Sequence, residues 1–448
     1  MLANNNPNTN SSRTDYRKTE KSPLISGADP SGDPFIESLA PESKFVPIPS
    51  FWNTVKAFAG AGSFALPWAV MQAGIWIGVI GLILIAILSN YTMNILLKCS
   101  IKMKEDQVGP EKPSYADIAH RAFGRVGELF VCFMNFSVTM SICISYLILI
   151  GVNFGELIPL KPVVIIWIVL PVLVLLTCLT DMKYLGFTSI FGAVSLLLAM
   201  GTVVAYGIKD NKIHPLDDYT FDFKNIPLWF GNAAFFFCNH IVVIPISHAS
   251  GDNKRYPKVL DFAMVFITVI NCAFAALCYL YYNFSPSGVP SNIVAALPNG
   301  TFSNIVRLCV VFELACSFPL VFGAGLNVVD SSIKWFHNLF NAFPNYQGAS
   351  GASPPFFSKN WKFYLVRLFI CAALAAIAST IKNFGSYTSL IGSLMLAIAG
   401  FVVPPLLSLR FFPEQKIYAK VFHVIITVFG IGATILGTYD SLKELIQG

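Results

Sequence analysis

Gly60-Ala61-Gly62-Ser63-Phe64-Ala65-Leu66-Pro67 interrupts an apolar run at residues 51–73. The run is long enough to cross a bilayer, which takes about 20 apolar residues in a helix. Two glycines and a proline within eight residues argue against an unbroken helix. In a helix interior, glycine costs about 1 kcal/mol and proline about 3 kcal/mol relative to alanine. No water reaches a bilayer core, so backbone groups freed by a break must meet protein or line a water-filled cavity. The stretch therefore predicts a place where N–H and C=O groups are available to something other than their own helix.

The rest of the chain fits a membrane setting. Of 448 residues, 55% are hydrophobic and 12% charged, about half the charge of a soluble domain. From Phe51 onward there are eleven apolar spans, at 51–73, 75–98, 127–153, 162–180, 184–207, 227–249, 258–283, 303–327, 361–381, 384–411 and 417–439. The expected fold is an all-α polytopic membrane protein with eleven transmembrane helices. The ten cysteines are scattered singly with no C-x-x-C, which suggests neither a zinc site nor a disulfide framework. Catalytic strings, phosphate loops and nucleic-acid patches are absent from the sequence. The chain is thus expected to be no enzyme and to carry no metal or cofactor, with membrane lipids around it and no nucleic acid.

Residues 1–50 are rich in Asn, Ser, Pro and charge and read as a disordered tail, followed by a membrane domain over 51–440. Within the tail, Glu20-Lys21-Ser22-Pro23-Leu24-Ile25 fits the acidic dileucine pattern read by clathrin adaptors. Such a signal works in a cytosolic segment and directs a protein to the lysosome or vacuole; without it the plasma membrane is expected. Loop charges agree with that side. Fifteen loop Lys and Arg fall on the tail's side against six opposite, and cytosolic loops carry the excess. The sequons at Asn283 and Asn299 then fall in a non-cytosolic loop, as glycosylation requires. Eleven spans place the C-terminus in the lumen or outside. Residues 113–127 read as an amphipathic helix on the cytosolic face, and 341–360 as a Pro-, Gly- and Ser-rich linker.

The sixth span holds a second break candidate. Asn239 and His240 lie near its middle and Pro245 removes a hydrogen bond further on. Interruptions in the first and sixth spans predict a five-plus-five inverted repeat, over 51–207 and 227–411, with an extra helix at 417–439. Half-helix N-termini favour a carboxylate and free carbonyls favour an amine, so a zwitterionic amino acid suits both ends. Gly60, Ala61, Gly62, Ser63, Phe237, Cys238 and Asn239 are the candidate substrate-binding residues. Three titratable residues are candidates for coupling to an ion. His240 changes charge near neutral pH. Glu313 sits near the middle of the eighth span, where an ionisable group is costly. Lys56 either presents a fixed positive charge beside the first break or snorkels to the headgroups.

The run from Lys56 to Pro67 resembles the first helix of the amino acid/auxin permease superfamily, closest to its proton-coupled and vacuolar amino acid transporter branches. Further similarity lies in Phe230-Gly231 through Pro245, in Ser317-Phe318-Pro319-Leu320, in Gly392-Ser393 and in Phe401-Val402-Val403-Pro404-Pro405. The resemblance covers nearly everything from Phe51 to about Arg410. It implies a LeuT-type fold with a cytosolic N-terminus and secondary transport of amino acids, small or neutral ones, by alternating access. It also implies that Ser317 offers a hydroxyl near an ion site. Where this family often has glycine beside the histidine of the sixth span, the chain has Asn239. Protons are the expected coupling ion, in symport. The alternatives are a sodium-coupled symporter and a sensor that binds amino acid with little flux.

Overall fold

In the computed structural model the described residues are 48–178, 188–215, 219, 223–251, 254–286, 288–332 and 361–447. The tail with Glu20, Leu24 and Ile25, and the linker 341–360, lie outside them. The elements are α1 (Ile48–Phe58), a 3-10 turn (Ala61–Ala65), α2 (Leu66–Ala73), α3 (Ile75–Glu105), α4 (Tyr115–Gly155), α5 (Pro162–Thr177), α6 (Thr188–Asp210) and α7 (Ile226–Phe237). They continue with α8 (His240–Ala249), α9 (Tyr256–Tyr282), α10 (Thr301–Ser332), α11 (Trp361–Thr380), α12 (Phe384–Ile391), α13 (Val403–Phe411) and α14 (Ile417–Gln447).

Among the described residues, nine helical runs are long and apolar enough to cross a membrane, counting α7 with α8 and α12 with α13 as single runs. Eleven spans were expected. The other two fall on the interrupted run 48–73 and on α5, whose 16 residues reach about 24 Å, short of a hydrocarbon core of about 30 Å. Helix ends also overrun the apolar limits. The second expected span stops at 98 but α3 continues to Glu105, and the last stops at 439 but α14 continues to Gln447. Hydropathy marks where lipid ends, and a helix rich in Lys and Glu carries on into water.

The expected amphipathic helix at 113–127 is the start of α4. Ser114 caps it in a reciprocal box with Asp117, and Gly124, at φ 68° and ψ −159°, breaks it from the spanning part. A positive φ of this kind suits glycine. Protein covers the apolar face of this first part of α4. Tyr115, Ile118 and Ala119 pack with Leu96, Cys99 and Met103 of α3, Ile244 of α8 and Leu407 of α13. The Tyr115 hydroxyl donates to the Ala399 carbonyl at 2.8 Å.

The run α7 is the central element, buried at every residue from Leu228 to Phe237. It crosses α12 and the π turn that follows (Gly392–Leu396) closely enough that the Gly231 and Gly392 backbones meet. A Cβ on Gly392 would lie 1.8 Å from the Gly231 carbonyl oxygen. Close approach through small residues is how helices associate without a hydrophobic drive in lipid. A second π turn (Ile398–Val402) precedes α13. Such turns are rare and gather at functional sites, and neither was legible in the sequence.

Candidate functional site

Two breaks shape the centre of the bundle. At the first, α1 ends at Phe58 and Gly60 is extended at φ −159° and ψ −160°. Tight turns resume at Ala61, with Ser63 N–H donating to the Gly60 carbonyl at 3.0 Å. Pro67 follows within the first turn of α2, where its missing N–H costs nothing. The sequence called for bare backbone here, yet Ala61, Gly62 and Ser63 are packed. A Cβ on Gly62 would lie 3.2 Å from the ring of Phe235 and 3.3 Å from that of Phe236. Two phenylalanines of α7 therefore close over the first break. Among the described residues the buried Ser63 hydroxyl has no hydrogen-bond partner.

At the second break, α7 ends at Phe237 and α8 begins at His240. Cys238 (φ −86°, ψ 58°) and Asn239 (φ −85°, ψ 36°) lie outside helical geometry. The freed carbonyls have partners of their own. Ser89 Oγ donates to the Phe237 oxygen at 2.7 Å, and Asn239 Nδ2 to the Phe236 oxygen at 2.7 Å. The fully buried His240 places Nε2 2.9 Å from Thr92 Oγ1. A Cβ on Gly400 would lie 2.9 Å from both the Cys238 sulfur and His240 Cε1. The polar residues that serve this break, Ser89 and Thr92, belong to α3. Their signal in the sequence was two hydroxyls in an otherwise apolar span.

The carboxylate at 313 meets the first break, not the second. Ser317, one turn further along α10, donates its hydroxyl to Glu313 Oε1 at 2.8 Å. Glu313 lines a cavity of about 10 Å³ with Ala59, Gly60, Phe64, Gly192, Ser195, Leu196 and Val310. That is room for about one water. Lys56 lies close enough to Glu313 to act on it electrostatically, and Glu313 in turn acts on Tyr146. The cavity depends on a glycine that sequence reasoning passed over. A Cβ on Gly192 would sit 2.7 Å from Glu313 Cγ and 3.2 Å from Oε1. Ser195 of the same helix was also missed.

The expected ion-coupling set is therefore divided. Lys56, Glu313 and Ser317 gather at the first break, while His240 sits with Thr92 and Gly400 at the second. The expected substrate residues flank both breaks, and Phe237 stands edge-on to Phe236 with ring centroids 4.8 Å apart.

Residues 47–443 match the family described as transmembrane amino acid transporter protein. The chain is 25% identical over 406 residues to the amino acid transporter ANT1 of Arabidopsis thaliana, covering 87% of this chain and 90% of that protein. It is 26% identical over 408 residues to the vesicular inhibitory amino acid transporter of Xenopus laevis, covering 88% and 76%. With the proton-coupled amino acid transporter-like protein pathetic of Drosophila melanogaster it shares 23% identity over 424 residues, covering 88% and 84%. A match running from α1 into α14, through both breaks and the Glu313 cavity, establishes that this chain belongs to the transmembrane amino acid transporter family.

Proposed function

We propose that the protein is a secondary transporter that moves small or neutral amino acids together with protons by alternating access. The observation that carries this reading is Glu313, an ionisable group within a spanning helix, facing the interrupted first helix across a water-sized cavity. A carboxyl group there can take a proton from one side and give it to the other as the cavity opens in turn. Lys56 supplies a positive charge nearby, which disfavours a sodium ion in the same place. The Drosophila relative, named as proton-coupled, accords with this.

In this reading the interrupted run 48–73 and α5 are the two remaining spans, completing eleven, and the breaks in spans one and six are the pseudo-symmetric centres of a five-plus-five repeat. The amino acid binds between them once Phe235 and Phe236 withdraw from Gly62. The N-terminus is cytosolic, and the exposed Asn299 and part-buried Asn283 face the lumen for glycosylation. The compartment is lysosomal or vacuolar, reached through Glu20, Leu24 and Ile25. An acidic lumen would drive amino acids out to the cytosol. The name of the Xenopus relative, a vesicular transporter, is in keeping with an internal membrane.

Two experiments test this. In liposomes with an imposed pH gradient and a panel of labelled amino acids, flux should follow the proton gradient and ignore sodium at fixed pH. A sodium requirement without a pH effect would overturn the coupling, and saturable binding without flux would make the protein a sensor. In cells, Leu24→Ala with Ile25→Ala should move the protein to the surface, measured by surface biotinylation. An unchanged lysosomal location would dismiss the adaptor as a partner.

A further inference from the structure

A cavity of about 510 Å³ opens between α6 and the first turn of α10 and shares no wall with the Glu313 cavity. It faces outward: Leu197 of α6 is 56% exposed and Phe302 of α10 is 52% exposed. Its floor is a place where α6 lacks bulk. A Cβ on Gly201 would meet nothing within 4 Å, and Ala205, one turn on, adds only a methyl group. From Leu197 to Lys209 the cavity follows about 18 Å of helix. One leaflet offers a hydrocarbon depth of about 15 Å, half of the whole core.

The polar walls gather at one end. Along α6 the lining is apolar until Thr202, then includes Tyr206 and Lys209. Thr202 is 5% exposed, and among the described residues its hydroxyl meets no hydrogen-bond partner. Tyr206 lies one turn on, on the same helix face, and the Lys209 ammonium is 5.7 Å from the centroid of its ring. Tyr206 also borders a second, polar cavity of about 150 Å³ with Asp210, Asn211 and Ser285. Lys209 and Asp210 are adjacent and both exposed. An anionic head would gain from the first and lose to the second, so the complementary head is neutral and hydrogen-bonding.

We propose that this cavity binds one sterol, with its hydroxyl among Thr202, Tyr206 and Lys209 and its rings along Gly201 and Leu198. The volume falls in the range of small-molecule sites, about 300–1,000 Å³. Acyl chains are flexible and cover any apolar helix face. A fixed hollow one leaflet long, with hydroxyl partners at one end, instead fits a rigid, flat body that carries a single hydroxyl. Small residues on the floor let such a body approach the backbone closely. Val204, Tyr206 and Lys209 also fit the L/V–Y–K/R spacing proposed for sterol contact, a pattern too short to count without the cavity. Both helices of this site also line the Glu313 cavity, and Phe191 of α6 meets Phe312 of α10 edge-on at 5.2 Å. A rigid body wedged beside that contact would hold the two helices at a fixed separation.

The test uses the full chain in detergent with radiolabelled cholesterol as the probe. It reads occupancy and not flux, so its outcome is independent of the coupling ion. Binding should saturate and be displaced by unlabelled cholesterol. Epicholesterol, whose hydroxyl points to the other ring face, should displace it poorly, and phosphatidylglycerol not at all. Gly201→Leu, which fills the floor, should weaken binding about tenfold or more, and Ala205→Phe should do the same from the next turn. Gly432→Leu on α14, where a Cβ also meets nothing within 4 Å, should bind as the parent does. Tyr206→Phe combined with Lys209→Gln should no longer separate cholesterol from epicholesterol. Absence of saturable binding, affinity unchanged in both Gly201→Leu and Ala205→Phe, or displacement by phosphatidylglycerol would each overturn the proposal.

Discussion

Gly392→Leu is expected to leave little folded protein. A Cβ at 392 would lie 1.8 Å from the carbonyl oxygen of Gly231 and 2.8 Å from the Phe235 nitrogen. These are backbone atoms of a buried helix and cannot swing aside. The crossing is equally tight from the other side, where a Cβ at 231 would lie 2.2 Å from the Ser389 carbonyl oxygen. The same place is tied by hydrogen bonds. Ser389 Oγ donates to the Leu228 oxygen at 2.9 Å and lies 2.8 Å from Ser441 Oγ of α14, while Thr388 Oγ1 donates to Asn232 Oδ1 at 2.5 Å. Leucine would part α7 from α12 and loosen α14 with them. Overpacking costs about 1–3 kcal/mol where side chains can yield. Here helices must separate, so the loss is about 3 kcal/mol or more, against a total stability of about 5–15 kcal/mol for a typical domain. Gly201→Leu is the control, since a Cβ there meets nothing within 4 Å. Monodisperse yield and thermal midpoint in detergent are the measurements. Equal midpoints for the two variants would show that the crossing is not as tight as drawn.

That crossing illustrates where the sequence stopped informing. Hydropathy located the nine long apolar runs seen among the described residues, because lipid imposes length and apolarity on each helix separately. The two breaks were also legible, since Gly60, Gly62 and Pro67, and the polar pair Asn239-His240, are local disturbances in apolar runs. Partners were not. A spanning helix is apolar toward lipid and toward protein, so its pattern does not say which face is inside. In α10, Phe312 is 52% exposed and Phe318 fully buried, though the two look alike in sequence. Gly392 and Gly231 were visible as small residues but their meeting was not. For the same reason His240 and Glu313 were grouped as titratable residues at similar depth, and the structure sets them against different neighbours. Gly192 had no local mark at all, because its role is to be absent where Glu313 is present.

Glu313→Gln is expected to uncouple transport from pH while sparing the fold. Glutamine keeps the volume and still offers an oxygen to Ser317 Oγ, which donates to Glu313 Oε1 at 2.8 Å. It cannot take up and release a proton. For one proton per amino acid, each pH unit supplies about 1.4 kcal/mol, enough for roughly tenfold accumulation. Uptake in the parent protein should rise as the donor side is acidified. In Glu313→Gln, accumulation should fall to about onefold at any gradient, with substrate exchange across the membrane preserved. Gly192→Ala provides a second arm that leaves the carboxyl group in place. Its Cβ, 2.7 Å from Glu313 Cγ, would push that side chain out of its present position, so the pH profile should shift without vanishing. Lys56 bears on the same group from α1. Lys56→Met removes that positive charge and should likewise change the pH profile without abolishing it. Labelled amino acid uptake and exchange in liposomes, scanned over donor pH, measures all three. A Glu313→Gln protein that still accumulates substrate along the pH gradient would move the proton's path away from the first break, and His240 with its Thr92 partner would be the next place to look.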